Sequence, residues 1–282
     1  MRILIQILFF LIPCFVYSQS IYEIENKLIH QLEKVHFEKN YNKALEYNDE
    51  FKTLLEKSIE NKELMEYEFD SLSKFMSTVI SPDGRFRLFN WNIELDNQKQ
   101  HYECWIVMND KKIIKLIDYK KPIQNLEYAK LGTNQWFGAL YFDIIPVQKK
   151  NKTYYTLLGW DGNDMFSNKK VIESMTFSNK NIIQFGSPIF KYPDGKTKRR
   201  VIFQYNKDSY MSLKHNVIRK EDYLVFDHLT PTAPNLKDFP DWYVTDLSFD
   251  AFKWEEKEWI YKNDYDAKSL KALRRPFNNP ND

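Results

Sequence analysis

The chain has 282 residues, with 41 basic and 39 acidic side chains and a formal net charge of +2. Such a balanced charge excludes a strongly basic or acidic protein and provides no general electrostatic reason to bind nucleic acid. Aromatic residues make up 16% of the chain, whereas glycine occurs only 7 times. This composition indicates a folded protein with a substantial core rather than a disordered one.

The N-terminal segment, residues 1–18, has the pattern of an export signal. Arg2 precedes an apolar run from Ile3 to Ile12, and the small Ser18 stands at the expected cleavage position. The run is shorter than the roughly 20 apolar residues that span a bilayer, so the pattern predicts removal rather than a stable transmembrane segment. Cys14 follows a proline inside the apolar region, which disfavours lipidation. We expect a mature N-terminus at Gln19 and a periplasmic or extracellular location.

Residues 19–75 form the predicted helical segment. Apolar residues recur at a three-and-four spacing from Ile21 to Val35 and again from Ala44 to Ile59, with a short polar connection at 38–40. This spacing predicts two antiparallel helices. The apolar stripe is expected to pack on the rest of the protein, and a partner-binding helical hairpin is the alternative. The charged residues assigned to the polar side of the first helix are Glu25, Lys27, Glu33 and Lys34.

Residues 76–263 are predicted to form an antiparallel β domain. The segment Ser81-Pro82-Asp83-Gly84 has the residues of a tight turn and predicts a hairpin between 78–80 and 86–89. Most later runs are separated by short turn-rich connections, without a helix-length crossover. These runs are 104–108, 113–117, 136–145, 153–160, 171–177, 182–190, 200–205, 210–214, 223–229, 249–254 and 259–261.

The predicted fold class is therefore α+β, with an N-terminal helical hairpin followed by a large antiparallel β domain. The strands could close into a barrel, a sandwich or a partial propeller, and no fixed-period repeat selects among them. Residues 264–282 form a basic tail that contains proline and asparagine, and proline limits any helix there.

The densest polar cluster beside an aromatic residue is Trp160-Asp161-Gly162-Asn163-Asp164. Its carboxylates and amide could bind Ca²⁺, or the loop could hold a sugar against the Trp160 ring. The spacing is not that of an EF-hand, and a hairpin turn capped by its own side chains is the favoured interpretation. We therefore predict no metal or cofactor, but we retain a candidate ligand-binding site at Trp160, Asp161, Asn163 and Asp164.

A second candidate site is Asp227-His228, which follows an apolar run. A histidine with a carboxylate could act as a general base on a hydroxyl such as that of Ser212 or Thr230. Adjacent strand residues point to opposite faces, however, so these two side chains are not expected to contact each other.

His101 and Cys104 have the spacing of half a zinc site, but no second pair of ligands follows at comparable spacing. Apolar neighbours favour a buried structural thiol at Cys104.

Several blocks of the β-rich portion resemble uncharacterised exported proteins of the Bacteroidota. The resemblance extends from about Phe69 to Tyr261 and implies export and an antiparallel fold. It names no active residue. The blocks that carry it are Ser81–Trp91, Tyr154–Glu173, Val225–Leu229 and Asp246–Trp254.

The sequence thus favours an exported, noncatalytic binding or envelope-associated protein whose partner is an unidentified envelope protein or polymer. The alternative is a hydrolase that acts on a cell-envelope or extracellular polymer. Its candidate groups are Asp161, Asp164, Asp227 and His228.

Overall fold

The computed structural model describes residues 20–95, 99–178 and 180–266. The predicted export signal lies outside these residues, as does most of the predicted tail. Within the described part of the chain, no helix is long and apolar enough to cross a membrane.

Two helices open the described chain, as the sequence predicts. Helix α1 spans Ile21–Phe37 and helix α2 spans Tyr41–Ser58. Each begins at a polar cap, because the side chains of Ser20 and Asn40 accept hydrogen bonds from backbone amides in the first turn. The apolar stripe of α1 from Ile21 to Val35 is buried, which confirms that it packs on the protein.

The described strands are longer and more numerous than the predicted runs. Their bounds are β1 Ser77–Ile80, β2 Phe86–Glu94, β3 Gln100–Met108, β4 Ile113–Ile117, β5 Leu131–Gly132, β6 Leu140–Lys149, β7 Lys152–Asp161, β8 Ser167–Phe177, β9 Ile183–Phe185, β10 Phe190–Lys191, β11 Thr197–Lys198, β12 Arg200–Asn206, β13 Leu213–Ile218, β14 Glu221–Pro231, β15 Tyr243–Glu255 and β16 Glu258–Lys262.

The strands form three sheets. Sheet 1 has the order β1-β2-β3-β4, sheet 2 has the order β5-β9-β8-β7-β6 with β12 beside β8, and sheet 3 has the order β11-β10-β16-β15-β14-β13. The pairings within them are antiparallel except for that of β10 with β16, which is parallel. The α+β class with a mostly antiparallel β portion is therefore confirmed.

The helices and the sheets form layers, and an apolar core lies between each pair of neighbouring layers. In sheet 1, Trp91 and Trp105 pack with the helices, whereas Leu88 and Cys104 pack with sheet 2. A third core joins sheet 2 to sheet 3 and includes Trp259. Because side chains alternate between the two faces of a strand, a strand in the centre of a middle layer is buried on both faces, as β2 is at nearly every position. Sheets 1 and 2 are such middle layers.

Two predicted strands are interrupted at glycines. The run 136–145 begins as a strand only at Leu140, after Gly138 with a φ of +83°, where a Cβ would approach the Asp118 carboxylate to 2.6 Å. The run 182–190 is divided by Gly186, which has a φ of +82°. Residues with a side chain rarely adopt this left-handed conformation, so the backbone turns at both points.

Candidate functional site

A surface cleft lies beside β1 and β6, the edge strands of sheets 1 and 2. The Ser77 hydroxyl donates a hydrogen bond to the Tyr141 carbonyl and links the two strands. The cleft, here called the edge groove, has a volume of about 710 Å³. Its lining residues are His36, Ser73, Lys74, Phe75, Met76, Ser77, Thr78, Val79, Asn92, Glu94, Leu140, Phe142 and Trp160.

Three aromatic rings line the edge groove. Trp160 is partly exposed, and its ring packs closely over Gly162, where a Cβ would come within 2.9 Å of the ring. Phe142 lies at an irregularity of β6 and is 40% exposed. Phe75 is partly buried. The Trp160 ring is therefore held in a fixed position at the groove.

The remaining lining combines neutral polar residues with apolar and ionisable ones. The Asn92 amide donates to Gln100 at 2.8 Å, and the Thr78 hydroxyl accepts from Arg87 at 3.2 Å. Both side chains are half-buried. Charged lining groups are limited to Lys74 and Glu94, of opposite sign, together with the titratable His36. The groove consequently offers hydrogen-bonding groups without a strong net charge.

The loop after Trp160 uses its carboxylates to hold its own backbone. Asp161 accepts hydrogen bonds from the Tyr102 hydroxyl at 3.0 Å and from the Asn163 amide at 2.8 Å. It is buried rather than exposed, and burial raises its pKa although nearby Lys169 opposes the shift. Asp164 accepts from the Phe166 and Ser167 amides at 2.9 and 3.0 Å.

The predicted cap function of this loop is thus confirmed by its hydrogen bonds. Of its four candidate ligand-binding residues, Trp160 lines the edge groove, whereas Asp161, Asn163 and Asp164 do not. The Asn163 side chain donates instead to Asp164 and to Ser167. A ligand role for these three residues stays a prediction.

Asp227 and His228 bind different partners. The Asp227 carboxylate accepts the Ser212 amide at 2.6 Å, whereas His228 Nδ1 lies 2.7 Å from Asp250 Oδ2. The register of β14 and β15 shifts between Asp227 and Leu229, so His228 lies at a bulge. The structure therefore pairs His228 with a carboxylate that lies on the neighbouring strand and that no local motif indicates.

The carboxylates around His228 change its acidity. Its pKa is raised, first by the hydrogen bond to Asp250 and further by the charges of Asp246 and Asp264, although burial opposes the shift. Asp250 is buried and also accepts the Tyr261 hydroxyl at 2.5 Å.

Cys104 is buried in the core between sheets 1 and 2, which confirms its predicted structural environment. Burial raises the pKa of its thiol and thus disfavours the reactive thiolate. His101 lies in a separate polar group, 3.6 Å from Glu103 and 3.9 Å from Asp118. Among the residues that the structure describes, no three His, Cys, Asp or Glu side chains are arranged to hold a metal ion.

No family model matches the chain, and no curated protein has significant similarity to it.

Proposed function

We propose that this protein is an exported, noncatalytic binding protein that holds a neutral polysaccharide of the envelope or the extracellular medium in the edge groove. The observation that carries the proposal is the fixed Trp160 ring beside Phe75 and Phe142 in a groove of about 710 Å³. The groove is open at the surface, which suits a segment of a polymer better than an enclosed small molecule.

The aromatic rings supply the apolar half of a sugar site. One face of a pyranose ring presents C–H groups, which pack against the electron-rich face of an aromatic ring. Trp160 is suited to this contact because its ring is already packed closely against Gly162 of the following loop. A ring that is fixed before binding loses little conformational entropy when the ligand arrives.

The polar lining supplies the other half of the site. Sugar hydroxyls lie at the rim of the ring and both donate and accept hydrogen bonds, as the Asn92 amide and the hydroxyls of Ser73 and Thr78 do. The nearly balanced charge of Lys74 and Glu94 favours an uncharged polymer over a polyanion.

Binding is favoured over hydrolysis because of where the carboxylates lie. Glycoside hydrolysis generally uses two carboxyl groups on either side of the bond, about 5 to 9.5 Å apart. Glu94 is the only carboxylate among the described residues that line the groove. Asp161 and Asp164 bind amides of their own loop, and Asp227 binds the Ser212 amide.

The test is titration of the purified mature protein with soluble neutral hexose polymers and, in parallel, with uronic-acid polymers of similar length. We expect saturable binding of a neutral polymer and weaker binding of the polyanions. Trp160→Ala should weaken binding by about tenfold or more, because the stacking surface is lost, and Trp160→Phe should retain part of the affinity.

Trp242→Ala is the matched control, because Trp242 is 52% exposed and lies outside the groove lining. It should bind like the parent protein. Failure of the parent to bind any neutral polymer, or equal affinities of the parent and Trp160→Ala, would contradict the proposal.

A further inference from the structure

The last described residues form a short segment, 263–266, that runs back over sheet 3 and is here called the strap. The Asp264 amide donates to Asp250 Oδ1 at 3.1 Å, and the Tyr265 amide donates to the Phe249 carbonyl at 2.7 Å. The ring of Tyr265 lies 5.3 Å from that of Tyr223, centroid to centroid. Two hydrogen bonds and one aromatic contact therefore hold Asp264 and Tyr265 on the sheet.

Asp250 joins the strap to His228. Its carboxylate is buried and accepts the strap amide on one oxygen and both the Tyr261 hydroxyl and His228 Nδ1 on the other. His228 is 44% exposed at its side chain, so it can exchange protons with solvent. The same carboxylate thus contacts both an ionisable imidazole and the strap.

The groups around His228 come from several elements. Strand β15 contributes Asp246 and Asp250, β16 contributes the Tyr261 hydroxyl, and the strap contributes Asp264. On β14 itself, the neighbouring Asp227 is engaged by the Ser212 amide. A protonated His228 therefore lies among three carboxylates, one of which belongs to the strap.

We propose that His228 is a proton sensor that sets how firmly the strap is held on sheet 3. With a proton on both ring nitrogens, the imidazolium attracts Asp250 and Asp264 and stabilises the docked strap. Without that charge, the three carboxylates repel one another and the strap opens more often.

Of the groups that raise the pKa of His228, only Asp264 belongs to the strap, so its contribution is present only while the strap is docked. A histidine whose pKa is raised by a contact stabilises that contact fully below its unperturbed pKa of about 6.5. The stabilisation is lost as the pH rises through the raised pKa. The strap should consequently be held more firmly at about pH 6 than at about pH 8.5.

Amide hydrogen exchange of the full mature protein tests this directly. The protection factors of the Asp264 and Tyr265 amides, each corrected for the intrinsic exchange rate at that pH, should fall between about pH 6 and about pH 8.5. The fall should be at most about fivefold, because a half-exposed ion pair contributes little. The buried Trp259 amide, which donates to Ile189, reports global opening and should not follow this profile.

Two variants separate the sensor from general destabilisation. His228→Gln removes the titrating charge and should flatten the pH profile of the strap amides. Asp264→Asn, at an exposed position, retains the strap amide and should reduce the pH dependence without affecting the Trp259 amide.

His215→Gln is the matched control, because His215 contacts a different carboxylate of the same sheet, Asp222 at 2.8 Å, rather than Asp250. It should retain the parent profile. The proposal is overturned if the parent strap shows constant protection, or if His228→Gln and Asp264→Asn both retain the full pH dependence.

Discussion

Asp161 and Asp164 belong to one loop but occupy different environments, and this difference decides how each responds to loss of charge. Asp161 is buried under the Tyr102 hydroxyl and its pKa is raised by that burial, whereas Asp164 is half-buried and accepts two backbone amides. A charge is therefore unfavourable at the first position and useful at the second.

We predict that Asp161→Asn leaves the free energy of unfolding at pH 7 unchanged or raises it, whereas Asp164→Asn lowers it by about 1 kcal/mol. The raised pKa means that the contribution of Asp161 to stability is present at low pH and lost as the pH rises through that pKa. Because asparagine carries no charge, the Asp161→Asn variant does not lose this stability as the pH rises. Urea unfolding at pH 7 and near pH 4 measures both effects, and a greater loss for Asp161→Asn than for Asp164→Asn would refute the assignment.

At the scale of single residues, the sequence selects only candidates that stand in a local pattern. Trp160 stands beside a polar turn, and this local pattern was sufficient to select it as a ligand candidate. Phe75, Asn92 and Phe142 reach the same groove from other elements, and no local pattern connects them. Asp250 was missed for the same reason, because it meets His228 only through the pairing of β14 with β15.

At the scale of elements, the helices were more predictable than the strands. Each helix buries one stripe, so its apolar residues retain a clear three-and-four period. Strand β2 is buried at nearly every position and therefore shows no alternation that could fix its faces. Strand limits also depend on the left-handed turns at Gly138 and Gly186, where glycine permits the turn but does not require it.

One helical residue was assigned to the wrong environment. Glu25 was expected on the polar side of α1, yet it is buried and accepts hydrogen bonds from the Tyr67 hydroxyl and from the amides of Ser71 and Leu72. The carboxylate thus joins α1 to the short helical turn Leu72–Lys74. Helical periodicity locates the face of a residue but not the partner that can make a charge acceptable there.

We predict that Glu25→Ala lowers the free energy of unfolding by about 2 to 3 kcal/mol, because it leaves two backbone amides without an acceptor. Glu46→Ala is the control, since Glu46 is an exposed residue in α2, and its effect should stay within about 0.5 kcal/mol. Chemical denaturation of the two variants beside the parent measures the difference. Similar losses for both would show that Glu25 has no special role in holding the two elements together.

At the scale of the whole molecule, the layered packing explains why the sequence predicted the strands but not the order in which they pair or the layer that covers each face. A middle sheet must be apolar on both faces, so its sequence indicates burial but does not indicate which neighbour covers which face. Long-range contacts decide that question, such as the hydrogen bond from the Trp259 indole to the Thr156 hydroxyl at 2.9 Å, which joins sheet 3 to sheet 2. Neither the sequence around Thr156 nor the sequence around Trp259 indicates that these two residues meet.

Removal of the predicted export signal after Ser18 is compatible with this layered molecule. The first helix is capped by Ser20, and its first buried apolar residue is Ile21. Cleavage before Gln19 would therefore retain both the helix cap and the apolar stripe that covers sheet 1. A cut several residues later would remove the cap and expose part of that core.

We accordingly predict that protein recovered from the periplasm or the medium begins at Gln19. Mass spectrometry of the N-terminal peptide measures this. Ser18→Phe should block processing, because the residue before the cut must be small, whereas Gln19→Asn should be processed like the parent. An intact Met1 terminus on the parent protein would show that the segment is not a cleaved signal, and a lipid-modified Cys14 terminus would place the protein on a membrane instead.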